Sequence, residues 1–201
     1  MSSDASVFGF DGSLLPDVML AGVTVDIVIG LDGEELERRS ELNLGPVVDR
    51  ALLEVLGQLP LGWQVAVDEL DPVVRAMVEG APPGLVERAG NTLERRYRPA
   101  LRTTGVITHR RDWRQGIEVV SRFASVAPRG VMLTGAAMHV DEAVDSARRL
   151  GIGLAARRGK AGSGQLLVPS DTRFRRPGTS EWLFSERVFA EWRRRQVPQA
   201  S

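Results

Sequence analysis

The chain has 201 residues, of which 43% are hydrophobic, and its 26 acidic and 26 basic residues give a formal net charge of zero. This composition provides a core and argues against disorder. The sequence contains no run of eighteen apolar residues, so we predict no membrane span. The first twenty residues lack the Lys and Arg of a signal peptide. The absence of cysteine excludes disulfides, thiolate zinc sites and cysteine nucleophiles. We expect a cytoplasmic protein.

Charge is distributed unevenly along the chain. Residues 1–80 contain 15 acidic residues and 4 arginines, whereas residues 81–201 contain 11 acidic and 22 basic residues. The acidic half could dock on the basic half, or the basic half could meet a polyanion such as DNA. Lys160 is the only lysine, and so strong an arginine preference is typical of a coding bias of the genome.

The sign of the charge changes at residues 81–84 (APPG), which are typical of a break between domains. We therefore predict an acidic α+β region over residues 1–80 and a basic α/β region over residues 81–201. A single domain with a loop at this point is the alternative.

The first half is predicted to contain two hairpin strands, a helix, a strand and a second helix. Residues 1–20 are predicted to be irregular. A strand over 23–30 is followed by the turn signal Asp32-Gly33 and a weaker returning strand over 36–42. A helix follows over 43–59 with Pro46 in its first turn, then a strand over 61–69 and a helix over 71–80. The carboxylates around the hairpin match no metal-binding loop, so we expect them to be solvated: Asp26, Asp32, Glu34, Glu35 and Glu37.

The second half is predicted to be a mixed α/β sheet built around a strand–helix–strand unit. Residues 85–101 are polar and a helix candidate, 102–109 predict a strand, and 112–127 predict an amphipathic helix. A buried parallel strand over 129–134, a helix over 140–150 that stops at Gly151, and a strand over 151–156 form the unit. A basic loop, a short strand over 166–170 and an extended arm over 171–180 precede a C-terminal helix capped by Thr179 or Ser180. Three aromatic residues on one face of that helix predict packing: Trp182, Phe189 and Trp192.

Common catalytic motifs are absent from the sequence. There is no phosphate-binding loop, no GxGxxG fingerprint and no GxSxG elbow that would support a Ser–His–Asp set. His109 and His139 are the only histidines and have no ligand spacing, so we predict no metal site.

One longer pattern spans residues 105–156. Its characteristic letters are Trp113, Gly130-Val131, Leu133-Thr134, Glu142-Ala143, Ala147, Gly151-Ile152 and Leu154. The segment resembles the C-terminal part of the Mrr-like branch of the restriction-endonuclease fold, over about a quarter of the chain. The resemblance implies a nuclease scaffold in a DNA-defence or mobile-element system.

The resemblance also implies a catalytic centre that this sequence lacks. The family places a divalent metal between an Asp and a Glu/Gln-x-Lys pair, where it activates water. Thr108 and Arg110 stand at the positions of that pair, and Arg cannot exchange a proton near neutral pH. The strand that should supply the Asp would fall in residues 91–103, which contain none. We therefore predict no catalytic residues, no cofactor and a scaffold that does not cleave.

Basic residues at the predicted strand ends could still bind phosphates. The candidate set is His109, Arg110, Arg111, Arg114, Arg157, Arg158 and Lys160. Three hypotheses follow: a degraded nuclease-fold protein that binds DNA, a protein-interaction module without a nucleic-acid role, and an active enzyme that uses the N-terminal carboxylates. No membrane partner is expected.

Overall fold

The computed structural model describes residues 4–135, 139–157, 164–172 and 178–196. The strands are β1 (Ser13–Leu20), β2 (Val23–Leu31), β3 (Gln64–Ala66), β4 (Val86–Ala89), β5 (Thr92–Arg95), β6 (Leu101–Arg110), β7 (Arg129–Leu133), β8 (Gly153–Arg157) and β9 (Gly164–Val168). The helices are α1 (Asp4–Val7), α2 (Gly33–Glu41), α3 (Arg50–Gln58), α4 (Pro72–Glu79), α5 (Trp113–Ser121), α6 (Val140–Leu150) and α7 (Thr179–Gln196), and Val67–Glu69 forms a 3-10 turn.

The chain divides into two compact units. The first comprises residues 1–30 and 103–175, and the second comprises residues 31–102 and 176–201. A six-stranded sheet has the order β1-β2-β6-β7-β8-β9, and a three-stranded antiparallel sheet has the order β3-β5-β4. The predicted α/β class with a mixed sheet is confirmed. The predicted division at residues 81–84 falls inside the second unit and stays a prediction.

The parallel centre of the first unit is covered on both faces. β6, β7 and β8 run parallel, and every residue of β7 is buried. Helices α5 and α6 pack on one face, on residues that include Val131, Leu133 and Leu154. Ala5, Phe8 and Phe10 pack on the other, on Ile107, Met132 and Ala155. Such two-sided burial explains the continuous apolar runs of these strands.

Glycines in three neighbouring strands make room for the two phenylalanine rings. A Cβ at Gly105 would lie 2.1 Å from the Phe10 ring, and Cβ atoms at Gly130 and Gly153 would lie 3.0 and 2.7 Å from the Phe8 ring. A larger residue would therefore displace the aromatic layer that joins α1 to the sheet.

The second unit contains a fully buried ion network. Arg39 of α2 donates to Glu35 (Nε to Oε1, 2.8 Å) and to both carboxylate oxygens of Glu186 on α7, at 2.8 and 3.0 Å. Tyr97 Oη and the Val47 N–H also donate to Glu186. The network joins segments that are 147 positions apart in sequence.

Three sequence predictions for the first half are wrong, and a fourth is confirmed only in part. Residues 1–20 contain α1 and β1, and residues 36–42 lie mostly in α2 instead of a returning strand. Asp32 is not a turn residue, because its side chain accepts the Glu35 N–H at 3.0 Å and begins the helix. The helix predicted over 43–59 begins only at Arg50, where Asp49 caps it, so Pro46 is outside it.

The strand over 23–30 and the helix between Asp71 and Gly80 are confirmed. The strand predicted over 61–69 is confirmed only over Gln64–Ala66, before the 3-10 turn. The expectation of solvated carboxylates is wrong for three of the five: Glu35 is buried, and Asp26 and Asp32 are partly buried.

The second half follows its prediction more closely. The strand–helix–strand unit is confirmed, including Gly151, whose φ of 62° provides the left-handed helix stop. Residues 85–101 are not helical: most of them form the β4–β5 hairpin, which turns at Gly90 with a φ of 60°. Helix α5 ends at Ser121, short of the predicted 127, and α7 begins at Thr179. Most of the predicted basic loop and arm lies outside the described residues.

Among the helices in the described ranges, none is long and apolar enough to cross a membrane.

Candidate nucleic-acid interface

The described members of the predicted basic set gather at one edge of the large sheet. His109 and Arg110 end β6, and Arg157 ends β8. The parallel register aligns Arg110 with Leu133, and Leu133 with Ala156. The ends of β6 and β8 therefore lie at the same carboxyl edge of the sheet, two strand spacings or about 10 Å apart. Arg158 and Lys160 lie outside the described residues.

The set nevertheless divides between the two faces of the sheet, because side chains alternate along a strand. His109 aligns with Met132, which packs on the α1 side. Arg110 aligns with Leu133, which packs against α5 and α6. The described members of the set therefore face two sides of the sheet, and their role in nucleic-acid binding stays a prediction.

The α1 side of this edge carries a four-residue charge cluster. His109 Nε2 lies 3.1 Å from Asp26 Oδ2 and 3.6 Å from Asp4 Oδ2. The Arg157 guanidinium donates to the same Asp4 oxygen. The side chains keep 16 to 31% of their surface exposed, so the cluster is half-buried and solvent reaches it. We call these four residues the Asp4–Arg157 cluster.

An irregularity in β1 positions Asp26. The β1–β2 register shifts between Leu15 and Val18, so two residues of β1 lie opposite Asp26. Asp17, in this bulge, has a φ of 51° and donates its backbone N–H to Asp26 Oδ1 at 2.9 Å. Burial raises the pKa of Asp26, but the hydrogen bonds from His109 and Asp17 outweigh it and hold that pKa below its usual range.

Arg110 and Arg114 lie on the α5–α6 side. Arg114 donates to Glu142 at 2.7 Å and lies over the Trp113 ring at 4.4 Å. Arg110 donates to the backbone carbonyl of His109 at 2.9 Å. Arg111 is exposed and makes no hydrogen bond or ion pair with the described part of the chain. Among the described arginines of the set, Arg111 is therefore the one most available to an anion.

Sequence reasoning missed the two acidic members of the cluster. The strand beside β6 in the large sheet is β2, which supplies Asp26, and residues 92–95 belong to the small sheet instead. The resemblance placed the strand that should carry an Asp in residues 91–103, and this placement stays a prediction. Asp26 was expected to be a solvated hairpin carboxylate, although a charged residue inside a β-branched run is unusual and could have indicated a site. The short segment around Asp4 contains no comparable signal.

The cluster does not fit the divalent metal that the resemblance implies. Within the described ranges, no group of three or more His, Asp or Glu side chains could hold a metal ion. Arg157 already occupies the Asp4 oxygen nearest His109. Thr108, at the family's ligand position, is buried and aligns with Val131, on the face opposite Asp26.

No protein-family model, no curated protein and no solved structure matches this chain.

Proposed function

We propose that the chain is a restriction-endonuclease-like protein, similar to the Mrr-like branch, which binds DNA at the carboxyl edge of β6, β7 and β8 without metal-dependent cleavage. The order of the elements supports this proposal. A β1–β2 hairpin neighbours β6, which is followed by α5, β7, α6 and β8. The resemblance implies the same succession from β6 to β8.

The observation that carries the proposal is the pairing inside the Asp4–Arg157 cluster. Each carboxylate that could bind a metal is bonded instead to a cationic or basic side chain of the protein, Asp26 to His109 and Asp4 to Arg157. A metal ion would have to displace these groups and dehydrate two half-buried carboxylates. The arrangement therefore favours a nuclease scaffold that retains its surface and has lost its metal centre.

DNA binding would rely on arginines that the chain does not neutralise itself. Arg111 is exposed and unpaired within the described residues, and Arg110 beside it uses one donor on a backbone carbonyl. A guanidinium has five donors, so Arg110 keeps donors for a phosphate. Contacts of this kind fix position without reading sequence, so binding should depend strongly on salt and weakly on sequence.

The test is the fluorescence anisotropy of a labelled short DNA duplex over a series of salt concentrations. Replacing Arg110→Ala and Arg111→Ala together should weaken binding about tenfold and reduce the slope of log K against log salt by about 0.9 per lost phosphate contact. The matched control is Arg50→Ala with Arg88→Ala, which removes the same charge from exposed positions of the second unit. An equal loss of DNA affinity in both double variants would overturn the assignment of the binding site to Arg110 and Arg111.

A second assay tests the absence of cleavage. Supercoiled plasmid should stay intact with the purified protein in Mg²⁺ or Mn²⁺. Nicking that Asp26→Asn abolishes would show that the metal centre is active and would overturn this part of the proposal.

A protein-interaction module is the second candidate, and one observation favours it. Acidic residues of the first 80 positions pair with basic residues from the rest of the chain within each unit, as Asp4 does with Arg157 and Asp32 with Arg98. The acidic half thus neutralises part of the basic half. No binding of duplex DNA at low salt would favour this candidate.

A further inference from the structure

Asp4 neutralises a residue that the proposed DNA-binding edge would otherwise expose. It lies in α1, a four-residue helix, and accepts a hydrogen bond from Arg157 at the end of β8. The Asp4 oxygen that Arg157 contacts also lies 3.6 Å from His109 Nε2. Two members of the predicted nucleic-acid-binding set are therefore held next to one carboxylate.

The apolar residues around Asp4 hold that carboxylate in place. Ala5, Phe8 and Phe10 are each at most 5% exposed and pack on the sheet next to Ile107 and Met132. The Phe8 N–H and the Phe10 N–H both donate to the Ala5 carbonyl, at 3.1 Å, which fixes the segment that follows Asp4. Because Asp4 belongs to the same chain and is held in place, its contact with Arg157 costs little entropy of association.

We propose that Asp4 is an internal competitor of DNA phosphate: its carboxylate occupies the Arg157 guanidinium and thereby limits nucleic-acid binding at the carboxyl edge of the large sheet. This inference rests on the proposed function. A carboxylate and a phosphate both accept paired hydrogen bonds from a guanidinium, so they compete for the same donors. Asp26 keeps His109 bonded when Asp4 is removed, so Arg157 is the residue that becomes available.

The experiment compares Asp4→Asn with the wild-type chain in the anisotropy titration. We expect the variant to bind the duplex about fivefold more tightly near 0.1 M salt, with a salt slope that is steeper by about 0.9, as one additional phosphate contact requires. Asp11→Asn is the matched control, because it removes the same charge from an exposed position of the same unit. It should change affinity much less and leave the slope unaltered.

A double variant shows whether the gain passes through Arg157. Asp4→Asn combined with Arg157→Gln should bind no more tightly than Arg157→Gln alone. A gain that persists in this background would overturn the assignment of Arg157. An equal gain in Asp11→Asn would reduce the effect to net charge and would also overturn the inference. Urea midpoints of all variants check that folding is retained, and Asp4→Ser provides a second replacement without the charge.

The outcomes separate this inference from the function on which it rests. If Arg110→Ala with Arg111→Ala weakens binding but Asp4→Asn produces no gain, the competitor role fails and the DNA-binding edge stands. If neither the wild-type chain nor Asp4→Asn binds the duplex at low salt, both fail.

Discussion

Replacing Arg39 by methionine should be among the most destabilising single changes in the second unit. The Arg39 side chain is 1% exposed and bonds to two carboxylates, Glu35 and Glu186, which are themselves at most 1% exposed. Burial disfavours the guanidinium charge, but Glu186 and Glu35 outweigh it and hold the pKa of Arg39 above its usual value. Methionine retains the apolar stem and removes the guanidinium, with its charge and its hydrogen-bond donors.

The expected loss of stability depends on the hydrogen-bond partners that Glu35 and Glu186 keep when Arg39 is replaced. Glu35 retains Arg38, which donates at 2.7 and 2.8 Å, whereas the donors that Glu186 retains among the described residues are neutral, Tyr97 and the Val47 N–H. An uncompensated buried carboxylate costs about 3–5 kcal/mol when its partner is removed. Arg39→Met should therefore lower the free energy of unfolding by about 3–5 kcal/mol.

Urea unfolding followed by tryptophan fluorescence measures the effect, since Trp63, Trp182 and Trp192 lie in the second unit. Adding Glu186→Gln should recover at least about 1 kcal/mol, because a buried amide costs less than a buried charge. The exposed pair Arg50–Glu54 is the control, and Arg50→Met should cost no more than about 0.5 kcal/mol. A loss below about 1 kcal/mol for Arg39→Met would refute the reasoning.

Two further predictions concern packing and pH. Gly105→Ala should destabilise the first unit by about 1–3 kcal/mol in urea unfolding, because its Cβ would lie 2.1 Å from the Phe10 ring, whereas Gly33→Ala, with nothing within 4 Å, should change stability little. If both cost the same, the clash is not the cause. Stability should also fall as the pH drops below about 4, because Asp26 has a lowered pKa in the folded chain and its stabilisation, present above the unfolded pKa, is lost through protonation. Urea midpoints measured from neutral pH into this range should decline less for Asp26→Asn than for Asp11→Asn; equal declines would contradict this assignment.

Two of the wrong predictions share one physical origin. Residues 33–41 contain few apolar side chains, so their helical period was weak, and Asp32-Gly33 was typical of a hairpin turn. The helix forms because Asp32 caps it and because the Arg39 and Glu35 side chains are buried against α7. Glu186 is 147 residues away, so a local pattern could not include it. Asp26 was predicted to be solvated for the same reason. Its partner His109 lies 83 residues away in sequence, on the strand beside β2 in the sheet.

The sequence by itself determined the strand–helix–strand unit over residues 129–157. Its apolar run, the acidic first turn and basic last turn of α6, and the stop at Gly151 are local signals that act within a few residues. Only the tertiary structure decided which charges meet. Asp4, Asp26, His109 and Arg157 come from four separate segments, and sheet order and side-chain alternation bring them to one face of one edge. Sequence composition showed an excess of basic residues in the second half of the chain, whereas the folded chain neutralises part of this excess with its own carboxylates and leaves Arg111 to solvent.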